Sequence, residues 1–98
     1  MSQQLPFTVS DFNNQVKSII ESGFPYNLSV KGEITDLKKH ISGHMYFSIK
    51  DNSSMLRCVF FNYASKLNDY SPKDGDEIII KGKPSLYSKS GSFQFYVN

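Results

Sequence analysis

Between residues 44 and 61 the chain sorts its side chains by parity. Met45, Phe47 and Ile49, then Leu56, Cys58 and Phe60, fall on one side of two alternating runs. His44, Tyr46 and Lys50, with Arg57 and Phe61, fall on the other. A period of two belongs to half-buried strands, and slipping the register by one residue would send Lys50 and Arg57 into the core. The outward set therefore combines aromatic rings with cations. That combination suits an unpaired nucleic-acid strand, whose bases stack on ring faces for roughly 1–3 kcal/mol each while cations follow the phosphates. Each residue also has an ordinary use: Tyr46 as a cross-strand packing residue, Arg57 as a solvated cation.

Two loops extend this chemistry. Asp36–His44 carries Lys38, Lys39, His40 and His44, and Tyr87–Gly91 carries Tyr87, Lys89 and small residues that allow close backbone approach. Lys31, Lys81 and Lys83 could enlarge the positive surface, although the pattern does not fix their orientation. His40 and His44 suggest a metal pair, but zinc needs three or four ligands and the single cysteine, Cys58, faces the apolar side. No metal site is expected. Cys58 among apolar neighbours reads as a small core residue rather than a nucleophile. No paired-carboxylate, Ser/His/Asp or glycine-rich phosphate-loop arrangement is legible. The chain reads as a binding module with no catalytic residue and no cofactor.

The elements that must position these residues follow from the same periodicities. Val9, Phe12, Val16, Ile19 and Ile20 recur at helical spacing, which predicts an amphipathic helix over 8–22 whose stripe packs on the rest of the domain. Thr8 with Asp11 is a capping-box-like start, and Gly23 followed by Pro25 is a stop. From Asn27 the period becomes two, predicting a long first strand running toward His40, with Gly32 marking a bend or bulge. Asp51-Asn52-Ser53 supplies turn chemistry between strands two and three. Residues 62–69 read as a short helical stretch or turn, Glu77–Lys83 as strand four and Ser92–Val97 as strand five. Phe47, Phe60, Phe93 and Phe95 are expected in the core. The pattern implies a mainly β fold: a five-stranded OB-fold Greek-key barrel with an N-terminal helix and a short helix between strands three and four. A five-stranded sheet packed on the helix is the alternative. Residues 1–26 are assigned to a helical extension and 27–98 to the barrel.

Composition sets outer bounds. Ninety-eight residues make one domain with one modest core. With 39% apolar and 14% aromatic residues, disorder is excluded. A single cysteine excludes an internal disulfide. Eleven basic against nine acidic residues, only one of the basic ones arginine, is too mild an excess for a duplex clamp, so the cations must be concentrated on one face. No apolar run approaches a membrane span and the polar start is unlike a signal peptide, so a cytoplasmic protein without membrane contact is expected.

Several runs also carry a family resemblance. Phe7–Asn13, the Val-Lys-Gly-Glu-Ile of Val30–Ile34, the Ser-Gly-His-Met-Tyr-Phe-Ser-Ile-Lys-Asp of Ser42–Asp51, Leu56–Phe61, Asp74-Gly75, Ile80-Lys81-Gly82 and Ser85-Leu86-Tyr87 resemble the N-terminal domain of exodeoxyribonuclease VII large subunits. Cys58, Phe61 and the preference for lysine over arginine look local to this chain. The resemblance implies an OB-fold that presents single-stranded DNA to a nuclease domain in the remainder of a larger subunit, which itself binds a small subunit. It implies a bacterial enzyme that degrades single-stranded DNA from both ends into oligonucleotides. Two other readings stay open: RNA binding of the anticodon-recognition type, and a scaffold whose aromatic face packs inside the subunit.

Overall fold

The computed structural model describes residues 5–66 and 70–98. Helix α1 (Val9–Ser22) precedes strands β1 (Leu28–Lys39), β2 (Met45–Lys50) and β3 (Met55–Phe60). A single helical turn, Tyr63–Lys66, then leads toward β4 (Glu77–Tyr87) and β5 (Ser92–Val97). Residues 67–69 of the expected helical stretch lie outside the described residues. The strands close into a barrel in the order β1-β2-β3-β5-β4, with β3 and β5 parallel and the other pairings antiparallel.

The inward parity is the expected one over most of the sheet. Ile34, Met45, Phe47, Ile49, Cys58, Phe60, Ile80 and Phe95 form one buried cluster. Burial pushes the Cys58 thiol up to about 12, consistent with an inert core residue. Phe93 is the exception, with half its surface (50%) exposed. It faces Leu86 near the tip of the β4–β5 hairpin, whereas β5 meets β3 only at Phe95 and Tyr96. The expected core position therefore falls beyond the closed part of the barrel.

Curvature is concentrated in β1 and β4. β1 pairs with β4 from Leu28 to Glu33 and with β2 from Glu33 to Lys39, so it changes partner at Glu33. Gly32 stands at that corner because a Cβ there would lie 2.9 Å from Ile49 Cβ. Of the bend or bulge expected at Gly32, this corner is the bend; a register shift comes later, between Thr35 and Lys38 of the β1–β2 pairing. Asp36 takes the left-handed conformation there (φ 54°), which aspartate tolerates better than most residues. Asp74 Oδ1 accepts from the Leu37 amide at 2.9 Å. β4 is longer than expected and includes Pro84, because beyond Gly82 it pairs with β5 alone.

Helix α1 begins as its sequence dictates, with the Thr8 hydroxyl accepting from the Asp11 amide at 3.0 Å. Its packing differs from the expectation. Val9 is 79% exposed and Phe12 53%, Ile19 is exposed too, and none of its residues is fully buried. The half-buried side is Asn13, Val16, Lys17 and Ile20, rotated roughly 60° from the apolar stripe at ~100° per residue. The cause is the surface it meets. The outer side of β4 and the turn after it offer polar partners: Asn13 Nδ2 donates to the Ser88 carbonyl at 3.0 Å, and Ser85 Oγ donates to Glu21 Oε2 at 2.7 Å. These hydrogen bonds at either end of the helix fix its rotation, and half-buried Val16 and Ile20 lie on the side between them.

Candidate nucleic-acid interface

On the outer side of β2 and β3 two small residues lie beneath their larger neighbours. Ser48 and Val59 point outward by parity yet are only 2% and 4% exposed. Val59 faces Tyr46 on β2 and Tyr96 on β5, and Ser48 faces Arg57. Larger side chains thus stand beside small ones. Tyr46 is at the exposed margin, and Phe61 is exposed just past the end of β3.

Ring contacts hold this arrangement. His40 meets Tyr46 edge-on with centroids 6.3 Å apart, and His44 meets Phe61 edge-on at 4.9 Å. Each histidine is also tethered locally. His40 Nδ1 lies 2.8 Å from Ser42 Oγ, and His44 Nδ1 accepts from the Asn62 amide at 3.2 Å. The β1–β2 loop is thereby folded against the rim of the face. Phe61 in turn lies nearly parallel to Tyr96, with centroids 5.9 Å apart and 18° between the planes.

The ten residues singled out in the sequence divide. Tyr46, Arg57, His44, His40, Phe61 and Lys38 gather on or beside this face, Lys38 directly across from Tyr46 on β1. Lys39 does not join them: its ammonium donates to Ser71 Oγ at 3.2 Å and sits 6.0 Å from the Tyr63 ring centroid, on the inward side of the strand end. Lys50 lies four residues along β2 from Tyr46, roughly 13 Å away at strand spacing, and pairs with Glu33 at 3.8 Å. Tyr87 and Lys89 belong to the exposed β4–β5 hairpin tip, close to the N-terminal half of α1 through the Asn13–Ser88 hydrogen bond.

Charge pairing separates the cations further. Lys31, Lys38, Lys50 and Lys73 each have a carboxylate within 4 Å, the respective partners being Glu77, Asp36, Glu33 and Asp76. No such pair involves Arg57 or Lys83 among the described residues. Cations without a carboxylate partner are the ones available to phosphate.

Sequence reading missed Tyr96. Its parity on β5 is legible, since Phe95 between Gln94 and Tyr96 is inward. What alternation cannot supply is that β5 lies beside β3, which brings Tyr96 next to Val59 and Phe61.

Known proteins agree with this architecture. The profile of the OB-fold nucleic acid binding domain family matches residues 7–98. Among curated proteins, the exodeoxyribonuclease 7 large subunit of Clostridium botulinum (strain Eklund 17B / Type B) is 50% identical over 91% of this chain and 23% of its own length. That of Clostridium novyi (strain NT) is 44% identical over 90% of the chain and 22% of its own. The chain thus spans less than a quarter of the length of these relatives. Among solved structures, the second OB-fold domain of replication protein A from Methanococcus maripaludis superposes with a TM-score of 0.53 at 18% identity, covering 74% of this chain and 78% of that one. The SSB domain of a Synechococcus sp. protein gives 0.50 at 13%, covering 76% and 89%. At such identities these two likenesses establish the fold alone. The chain belongs to the OB-fold nucleic acid binding domain family, and the curated relatives it matches are exodeoxyribonuclease 7 large subunits.

Proposed function

We propose that this domain binds single-stranded DNA on the β2–β3 face and presents it to the nuclease of an exodeoxyribonuclease VII large subunit. The observation that carries the reading is the set of Tyr46 and Arg57 standing beside the small Ser48 and Val59, with no carboxylate paired to Arg57 among the described residues. A base laid over this face stacks against Tyr46, while the guanidinium reaches the phosphate or the base edge. Unpaired bases are required, because those in a duplex present no ring face. The small net charge of +2 fits an interface that works by stacking as well as by charge.

The domain supplies binding and orientation only; hydrolysis belongs to the remainder of the large subunit. The full enzyme cuts single-stranded DNA from both ends to oligonucleotides in the bacterial cytoplasm, together with a small subunit. The relatives' names and their greater length support this division of labour.

The test is titration of a fluorescently labelled oligonucleotide at low salt with the wild-type protein and a Tyr46→Ala, Arg57→Ala double variant. The expected result is weak binding that falls with added salt and drops at least about tenfold in the variant, as loss of one stacked base and one cation requires. Absence of wild-type binding, or equal binding by the variant, overturns the reading. A matched RNA strand runs alongside; marked preference for it would move the function to 2′-hydroxyl recognition.

A further inference from the structure

One register row crosses all five strands. Lys38 on β1 faces Tyr46 on β2, Tyr46 faces Val59 on β3, Val59 faces Tyr96 on β5, and Tyr96 faces Lys83 on β4. The row has a cation at each end, a tyrosine inside each cation and a buried valine at its centre. The function proposed above uses its β1–β3 half. Nothing in that reading accounts for the other half.

That second half opens into a cleft of about 410 Å³ between α1 and the β4–β5 strands. Phe61 and Tyr96 line it on one side and Lys17, Lys66 and Lys83 supply its charge, against the single carboxylate of Glu21. The Glu21 carboxylate is already engaged by the Ser85 hydroxyl at 2.7 Å. Lys17 lies one helical turn before Glu21, on the same side of α1, so the bond that anchors the helix also hangs Lys17 over the cleft. Neither Lys17 nor Lys83 has a carboxylate within ion-pair distance among the described residues. Burial, and then the nearby Glu21, hold the Tyr96 phenol above its ordinary range.

We propose that a DNA strand stacked on Tyr46 continues across Val59 onto Tyr96 and enters the cleft beneath α1, where Lys17 and Lys83 hold its phosphates. The proposal rests on the single-stranded DNA reading and adds the path of the strand. Tyr46 and Tyr96 are two strand spacings apart, roughly 10 Å, which separates two stacking platforms along one strand rather than crowding one base. An apolar peptide partner is disfavoured by the three lysines, and a free anion would not use the two rings. Helix α1 thereby becomes one wall of the binding path, docked through polar contacts that leave Val9, Phe12 and Ile19 outward.

The experiment compares labelled oligothymidylates of about four and about ten nucleotides, within the span one OB-fold covers. Proteins titrated are the wild type, Lys17→Gln/Lys83→Gln, the charge-retaining Lys17→Arg/Lys83→Arg, and the Tyr46→Ala/Arg57→Ala variant. The glutamine variant is expected to weaken the longer strand roughly five- to tenfold and to lower its salt slope by about 1.4, two phosphates at ~0.7 each. Its binding of the shorter strand should change less than about twofold, and the arginine variant should restore the longer. Unfolding midpoints verify that the variants are folded. If the glutamine variant binds the longer strand like the wild type while the Tyr46/Arg57 variant loses it, the path is overturned and the first reading stands. If the wild type binds neither strand, both fall.

Discussion

Two hollows of nearly equal size flank the barrel and hold opposite chemistry. The cleft beneath α1, about 410 Å³, carries three lysines, one carboxylate and the rings of Phe61 and Tyr96. The hollow across the β1–β2 corner, about 420 Å³, is lined by Lys31 and Lys50 with Glu33, Asp51 and Glu77, and by no aromatic ring. There both lysines are paired, Lys31 with Glu77 at 3.7 Å and Lys50 with Glu33 at 3.8 Å. Asp51 Oδ1 is turned onto the amides of Ser53 and Ser54 at 2.8 and 2.9 Å. The barrel makes concavities wherever its strands coil. Which one can hold a polyanion is decided by the side chains placed there, so shape alone identifies neither as a site.

The largest expected effect tests the backbone beneath each hollow. A Cβ on Gly82 would lie 2.0 Å from the Tyr96 carbonyl oxygen, whereas one on Gly32 would lie 2.9 Å from Ile49 Cβ. Both overlaps involve atoms fixed to the backbone, and the one at Gly82 is deeper by 0.9 Å, so Gly82→Ala should cost about 3 kcal/mol or more and Gly32→Ala about 1–2 kcal/mol. Urea midpoints measure both. Gly82→Ala should also weaken the longer oligonucleotide at concentrations where the protein remains folded, because Tyr96 is displaced. Equal midpoints for the two variants would show that β5 can retreat from β4 freely.

The next effect concerns charge. Arg57→Gln is expected to weaken binding about tenfold and to reduce the salt slope, while Lys50→Gln, whose ammonium already has a carboxylate, should change affinity less than about twofold. A loss of similar size in both variants would extend the DNA path toward the β2–β3 hairpin and erase the distinction between the two sides.

Much of this contrast was legible in the sequence, and the exceptions have physical causes. Period-two alternation placed Tyr46, Arg57 and Lys50 outward and Phe47, Cys58 and Phe60 inward, because a strand with one buried face has no alternative register. Alternation is blind to where a strand leaves the barrel, which is why Phe93 was assigned inward and is half exposed. It is blind to strand order as well. Tyr96 comes beside the candidate face only through the β3–β5 pairing, and Lys39 and Lys50 are set apart from it by the contacts with Ser71 and Glu33. Helical periodicity likewise located α1 but not its rotation. That was fixed by Ser85 and Ser88, more than sixty residues away in the chain.

Helix docking supplies a smaller effect. Ser85→Ala removes one hydrogen bond to a carboxylate that water can partly replace, so global stability should fall by about 0.5–1 kcal/mol. The informative readout is local. Amide exchange in α1 should accelerate while β2 and β3 stay protected, since the helix touches only β4 strongly. In addition, the longer oligonucleotide should bind less tightly and the shorter one as before. Uniform acceleration across the barrel would make α1 part of the core rather than a wall laid upon it.

The smallest expected effect is acid sensitivity on the charge-paired side. The amides of Ser53 and then Ser54 hold the Asp51 carboxyl below its ordinary 3.8. A carboxyl whose folded pKa is depressed stabilises the fold fully above its unfolded value, and the contribution disappears as pH falls through the folded value. Unfolding midpoints should therefore decline from about pH 4 downward, by a slight amount because Asp51 is wholly exposed. Asp51→Asn keeps an acceptor for both amides but cannot titrate, so its midpoint should decline less steeply over the same interval. Above pH 4 the two proteins should bind oligonucleotide alike, because Asp51 borders the hollow outside the proposed path. Parallel acid profiles would show that the turn draws nothing from its charge. Different affinities at neutral pH would bring that hollow into the path and overturn the contrast between the two sides.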